Sequence, residues 1–120
     1  MAEKELYCYI QAKRKYKQIK ERIKEAESVI GKPEETTSKE IQSLYRTLYK
    51  ELAESERNVF TTYDYLLTLE EYFTPSEWEI FKLRYIEGLN RLTISEKTFY
   101  SETTITRKIK SIKQKILAIA

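Results

Sequence analysis

The side chains with the most chemical capacity cluster near the C-terminus. Thr103, Thr106, Arg107 and Lys110 fall at spacings of three, one and three, which is one face of a helix, and Lys108, Lys113 and Lys115 flank them. From Thr106 to Lys115 there are five basic residues and no acidic one. Their chemistry is recognition rather than bond-breaking. The guanidinium of Arg107 can pair with O6 and N7 of a guanine, Thr103, Thr104 and Thr106 can meet a base edge or a thymine methyl, and Glu102 can accept from a cytosine amino group. Lys108, Lys110 and Lys113 can neutralise phosphates, and Ser101 with the free amides of a helix start can hold one. The plainer reading of the same run is a helix whose lysines complement its own dipole and keep its surface solvated. What precedes the run favours DNA: a short helix and a turn, the order of a helix-turn-helix reader.

Other chemistry finds few supports. There is no histidine and one cysteine, Cys8, so the usual nucleophile–base pairs and cysteine or histidine metal sites cannot be assembled. The adjacent acidic pairs Glu34–Glu35 and Glu70–Glu71 diverge by about 100° around a helix and read as solvated faces. The expectation is therefore no catalytic residue, no metal and no cofactor. A mean hydropathy of −0.63 without any long apolar run argues against a membrane span or membrane partner, and no signal peptide is expected. A cytoplasmic, reducing location fits the single cysteine. The net charge of +3 is unevenly spread. Residues 1–96 hold 16 Lys+Arg against 18 Asp+Glu, whereas residues 97–120 hold 6 against 1, the electrostatic footprint of a nucleic-acid contact.

The elements that must position this face follow from spacing. Tyr9, Ala12, Tyr16, Ile19, Ile23, Ala26 and Ile30 alternate in threes and fours, a seam for a helix over Glu3 to Ile30. Gly31 and Pro33 end it. Thr37 and Glu40 form a capping-box pattern that opens a second helix. Its seam runs through Ile41, Tyr45, Leu48, Leu52, Ser55, Val59, Thr62, Leu66, Leu69 and Phe73, and weakens at Ser55 and Thr62. A short loop makes the two helices antiparallel neighbours. The second is longer by roughly two turns, and its surplus must pack on the third piece or on another chain. The aromatic stripe Tyr45, Tyr49, Phe60, Tyr63, Tyr65, Tyr72 and Phe73 reads as seam packing before base stacking. Thr74 and Glu77 form a second capping box around Pro75, and Gly88 ends the helix that carries Trp78, Phe81 and Tyr85. A short helix over Leu92 to Thr98 follows, then Ser101 caps a last helix, about Ser101 to Leu117, buried through Ile105, Ile109, Ile112 and Ile116. The expected fold is all-α: a long antiparallel N-terminal helical hairpin over residues 1–73, followed by a C-terminal helix-turn-helix domain over residues 74–120.

The stretch ISEKTFYSETTITRKIKSI, Ile94 to Ile112, resembles the "IAxxLxxSxxTVxRxxKxx" line of sigma-factor-like helix-turn-helix domains. Ile94 stands at its first Ile, Ser101 at the Ser that opens the recognition helix, and Thr104 and Ile105 at the Thr-Val pair. FKLRYIEGL, Phe81 to Leu89, resembles the "LxLRYxxGL" helix that precedes it. Phe99 departs from the glycine usual in the turn, and Thr98 from a leucine. The whole layout is similar to the ArpU/RinA group of phage-encoded transcription regulators. That resemblance implies a sequence-specific DNA-binding activator of phage late genes in the bacterial cytoplasm. The hairpin would then form a homodimer or touch RNA polymerase, and a dimer would set two recognition helices in successive major grooves, about 34 Å apart. Two alternatives stand beside it: a small terminase-like DNA-packaging adaptor, and a helical module that binds polymerase or another protein but no DNA.

Overall fold

A computed structural model describes residues 2–119. The chain is all-α, with α1 at Ala2–Ile30, α2 at Lys39–Leu67, α3 at Pro75–Phe81, α4 at Arg91–Thr98 and α5 at Glu102–Ala118. Single 3-10 turns lie at Pro33–Glu35 and Thr68–Tyr72, and a π-helical turn at Lys82–Ile86 extends α3. No helix of the described residues is long and apolar enough to cross a membrane.

Packing divides the chain into two units, Tyr9–Thr61 and the residues on either side of it. In the Tyr9–Thr61 unit the seam alternation folds as expected into an antiparallel pair. Gly31 ends α1 in the left-handed region (φ 84°), with its N–H bonded to the Glu27 carbonyl at 3.1 Å. Ile19 and Ile23 of α1 bury against Tyr45 and Leu48 of α2, flanked by Ala26, Ile41 and Leu52. The Tyr45 hydroxyl donates to the Gly31 carbonyl, which ties α2 to the end of α1. Arg22 and Glu51 pair at 3.7 Å across the outside. The seam closes less completely than its spacing suggests. Ala12, Tyr16 and Ala26 are half-buried and Ile30 is exposed, because two helices alone cover only one side of each other.

Two local expectations are corrected here. The second helix does not open on Thr37. It begins at Lys39 with Ser38 at the cap: Ser38 Oγ accepts from the Ile41 N–H at 3.4 Å, and the Ser38 carbonyl accepts from Gln42 at 3.0 Å. The Ser38 N–H is in turn held by Thr36 Oγ1 at 3.1 Å, so three neighbouring hydroxyls competed and the last won. The second helix is also not longer than the first. Each has 29 residues, and the surplus beyond Leu67 tightens into the 3-10 turn.

Ser55 sits on the seam, 3% exposed, and its hydroxyl has no hydrogen-bond partner. A buried unmet hydroxyl costs about 1 kcal/mol or more, and alanine is the better helix former. Ser55→Ala therefore raises the stability of the hairpin by about 1 kcal/mol. Urea unfolding followed by circular dichroism checks this; a midpoint at or below the parent's refutes it.

The second unit joins residues 2–8 to residues 62–119. A boundary at residue 73 does not describe its packing. Leu66 and Leu69 are buried, and the Phe73 ring stacks on Trp78 (6.3 Å) and Phe81 (5.4 Å), so the tail of α2 belongs to this core. Ala2 and Leu6 of α1 are buried as well. Trp78 and Phe81 stack at 5.3 Å, and α3 and α4 both pack on α5 through Ile80, Ile94, Ile105, Ile109, Ile112 and Ile116. The aromatic stripe divides accordingly: Tyr45 and Phe73 are buried, Tyr63 and Tyr65 half-buried, and Tyr49, Phe60 and Tyr72 exposed.

Candidate nucleic-acid interface

The candidate interface is α5, and α5 is held by two supports. The first is the start of α3. Thr74 caps it as expected: the Glu77 N–H donates to Thr74 Oγ1 at 3.3 Å, and the Thr74 N–H donates to Glu77 Oε1 at 2.9 Å. The second is α4, capped by Asn90, whose Oδ1 accepts from the Thr93 N–H at 2.9 Å. Between α3 and α4 the chain widens into the π turn, with Glu87 N–H bonded to the Lys82 carbonyl at 2.9 Å, and Gly88 (φ 74°) then stops it.

The turn from α4 to α5 spans Phe99 to Ser101. Phe99 adopts the left-handed conformation (φ 65°, ψ 8°) that a glycine would take there without strain, and its N–H closes on the Ser95 carbonyl at 2.9 Å. Ser95 Oγ donates to the Tyr100 carbonyl at 2.6 Å, and Thr98 Oγ1 donates to the Ile94 carbonyl at 2.7 Å. Thr98 thus ends α4 by hydrogen bonding, where a leucine would pack. The Phe99 ring is 94% exposed, so nothing in burial offsets its backbone. Phe99→Gly should stabilise this unit by about 1 kcal/mol, after subtracting glycine's larger unfolded-chain entropy. A thermal scan shows it as a rise of a few degrees; a lower midpoint would mean that the ring makes a contact worth more than the strain.

Ser101 caps α5, its Oγ accepting from the Thr104 N–H at 3.2 Å and donating to Thr104 Oγ1 at 2.9 Å. Ile105, Ile109, Ile112 and Ile116 face the core. Of the nine residues read from the sequence, Ser101, Glu102, Thr103, Thr106, Arg107, Lys110 and Lys113 are exposed. The other two are turned inward. Thr104 is half-buried and held by Ser101, and Lys108 donates from Nζ to Ser76 Oγ at 2.9 Å. Thr104, Lys108, Ser111 and Lys115 recur at four, three and four, a stripe one side of the apolar one that meets the start of α3.

That stripe contains the arrangement that sequence reasoning missed. Glu77 is only 5% exposed, yet its carboxylate accepts from Lys115 Nζ at 2.6 Å, from Ser111 Oγ at 2.7 Å and from the Thr74 N–H. Burial pushes its pKa up, but the bonds from Lys115, Ser111 and Thr74 together outweigh burial and hold it down at about 2. With Thr104, Arg107, Lys108 and Ser111 it lines a cleft of about 230 Å³. The capping pattern made Glu77 visible as a local group; nothing local marked it as the partner of a lysine on α5.

No family model, curated protein or solved structure matches the chain.

Proposed function

We propose that this chain binds double-stranded DNA with α5 as the recognition helix in the major groove, and that it regulates transcription without a catalytic site. One observation carries the reading: Thr103, Thr106, Arg107, Lys110 and Lys113 stand exposed together on the side of α5 away from its isoleucines, with no acidic residue after Glu102. Three basic side chains supply phosphate attraction, and Arg107 with the threonines supplies groups suited to base edges. Lys108 is bonded to Ser76 and Lys115 to Glu77, so the contact proposed is narrower than the full basic run. The resemblance of Phe81–Leu89 and Ile94–Ile112 to sigma-factor-like and ArpU/RinA proteins extends the proposal to a phage-encoded activator of late genes, with RNA polymerase as a partner and the hairpin as a dimer contact.

Light scattering of the pure protein tests this, alone and with a random-sequence duplex of about 30 base pairs, close to three helical turns. The expected result is a dimer that shifts the duplex and releases it as salt rises. A ring of eight or more chains would instead favour a packaging adaptor. A chain that never shifts the duplex would leave a protein-binding helical module.

A further inference from the structure

A second row of cations lies outside the site just described. Lys13, Lys17, Lys20 and Lys24 recur along α1 at four, three and four, the rhythm of the apolar seam turned to its flank. All four are exposed, and with Tyr16 and Glu21 they line an open groove of about 360 Å³. Lys20 lies over the Tyr16 ring at 5.2 Å and Lys13 over the Tyr9 ring at 5.8 Å, which holds the row along the helix. With Arg14, Lys15 and Arg22 on other sides of the helix, the stretch from Lys13 to Lys24 has seven basic residues against Glu21 alone. The near-neutral balance of the first 96 residues conceals this run, because acidic residues elsewhere in α1 and α2 cancel it in the sum.

We propose that this row is a second contact for duplex DNA, a rail for phosphates that acts without base preference. It rests on the reading of the chain as a DNA-binding protein. The row is about 16 Å long at the rise of an α-helix, and that length of duplex presents about nine phosphate charges. Lysine ammoniums are point charges without the fork that reads a guanine, so the row adds affinity and not sequence choice. An anionic membrane offers the same sign of charge, but a helix held at a membrane inserts its apolar face. That face of α1 is already used, with Ile19 and Ile23 buried on Tyr45 and Leu48. A second copy of the chain would need a matching row of carboxylates. On α2, Glu51 already pairs with Arg22, leaving Glu40, Glu54, Glu56 and Asp64, which do not recur at the four, three and four spacing of the lysines.

The test uses the full chain with Lys13, Lys17, Lys20 and Lys24 all changed to Gln, which has nearly the helix propensity of Lys. A second variant with all four changed to Arg keeps the charge. The Gln variant should bind a random-sequence duplex at least about tenfold more weakly at low salt, with a log–log salt slope shallower by about three to four. Its ranking of duplexes of different sequence should match the parent's, and the Arg variant should bind as the parent does. Unchanged affinity and slope in the Gln variant overturn the proposal. An α5 variant, Arg107→Ala with Lys110→Ala and Lys113→Ala, separates the two readings. If it loses the duplex while the Gln variant keeps it, the rail fails and the recognition helix stands. If it binds as the parent does while the Gln variant loses the duplex, the rail stands and α5 is not the reader. A parent that ignores duplexes but sediments with phosphatidylserine vesicles, and stops doing so in the Gln variant, overturns the rail in favour of a membrane surface.

Discussion

Replacing Glu77 by glutamine lowers the stability of the C-terminal unit by roughly 3 kcal/mol. The substitution keeps the shape of the side chain and an oxygen to accept from the Thr74 N–H, so the cap of α3 survives in part. What it removes is the negative charge facing Lys115 Nζ at 2.6 Å, and it sets an amide against two donors, Lys115 and Ser111. Breaking a buried ion pair costs about 3–5 kcal/mol, and the lower end applies because the Lys115 side chain is 39% exposed and water can take its charge. Lys115→Met in the Glu77→Gln background should cost much less than it does alone, since the partner it served has gone. Trp78, the single tryptophan and an immediate neighbour, reports unfolding by fluorescence. A Glu77→Gln variant with the parent's urea midpoint would show that the network contributes nothing to the fold.

The same carboxyl makes stability depend on acid. Its folded pKa of about 2 lies below the ordinary 4.5, so the folded state binds that proton less readily than the unfolded chain does. The stabilisation is complete above about pH 4.5 and is lost as pH falls toward about 2. The parent should therefore lose stability across that interval more steeply than Glu77→Gln. Parallel curves for the two would place the acid sensitivity elsewhere.

Arg107→Ala and Lys113→Ala should separate in how they harm DNA binding. On the proposed reading Arg107 reads a base, and its loss costs about 1–3 kcal/mol of discrimination at one position, roughly 5- to 150-fold in the ratio of two duplexes. On the same reading Lys113 meets phosphate. Its loss weakens every duplex alike and makes the salt slope shallower by about one. Lys108→Ala serves as the internal contrast, because Lys108 is held by Ser76 on α3 and its loss should change stability more than DNA affinity. Binding isotherms at several salt concentrations, on duplexes that differ in one base pair, distinguish the three. If Arg107→Ala and Lys113→Ala both bind as tightly as the parent, this face of α5 is not the contact.

How far the sequence carried depended on the range of the interaction. Helical periodicity is local and repeats, so the helices and their buried sides were legible from Ile19 and Ile23, from Tyr45 and Leu48, and from the four isoleucines of α5. The cap at Thr74 was legible because both partners lie three residues apart. The cap of α2 lies at Ser38, one residue past the Thr37 of the capping-box pattern, since Thr36, Thr37 and Ser38 are chemically near-equivalent and only the path of the loop chooses among them. The lysine row on α1 follows from spacing alone, although the near-neutral charge of the first 96 residues masks it.

By itself, then, the sequence determined an all-α chain, the faces its helices bury, and a basic, acid-free last helix. Only the tertiary structure decided which of that helix's cations remain available. Five basic side chains between Thr106 and Lys115 look alike in the sequence, yet Lys115 is drawn to Glu77 and Lys108 to Ser76, more than thirty residues away. It also decided that Phe73 joins Trp78 and Phe81, and that Phe99 takes a glycine's conformation so that Ile94 and Ile105 can both be buried across one turn. The physical reason is common to all of these. Each depends on where a distant surface lies once the helices have packed, and neither periodicity nor composition encodes that position.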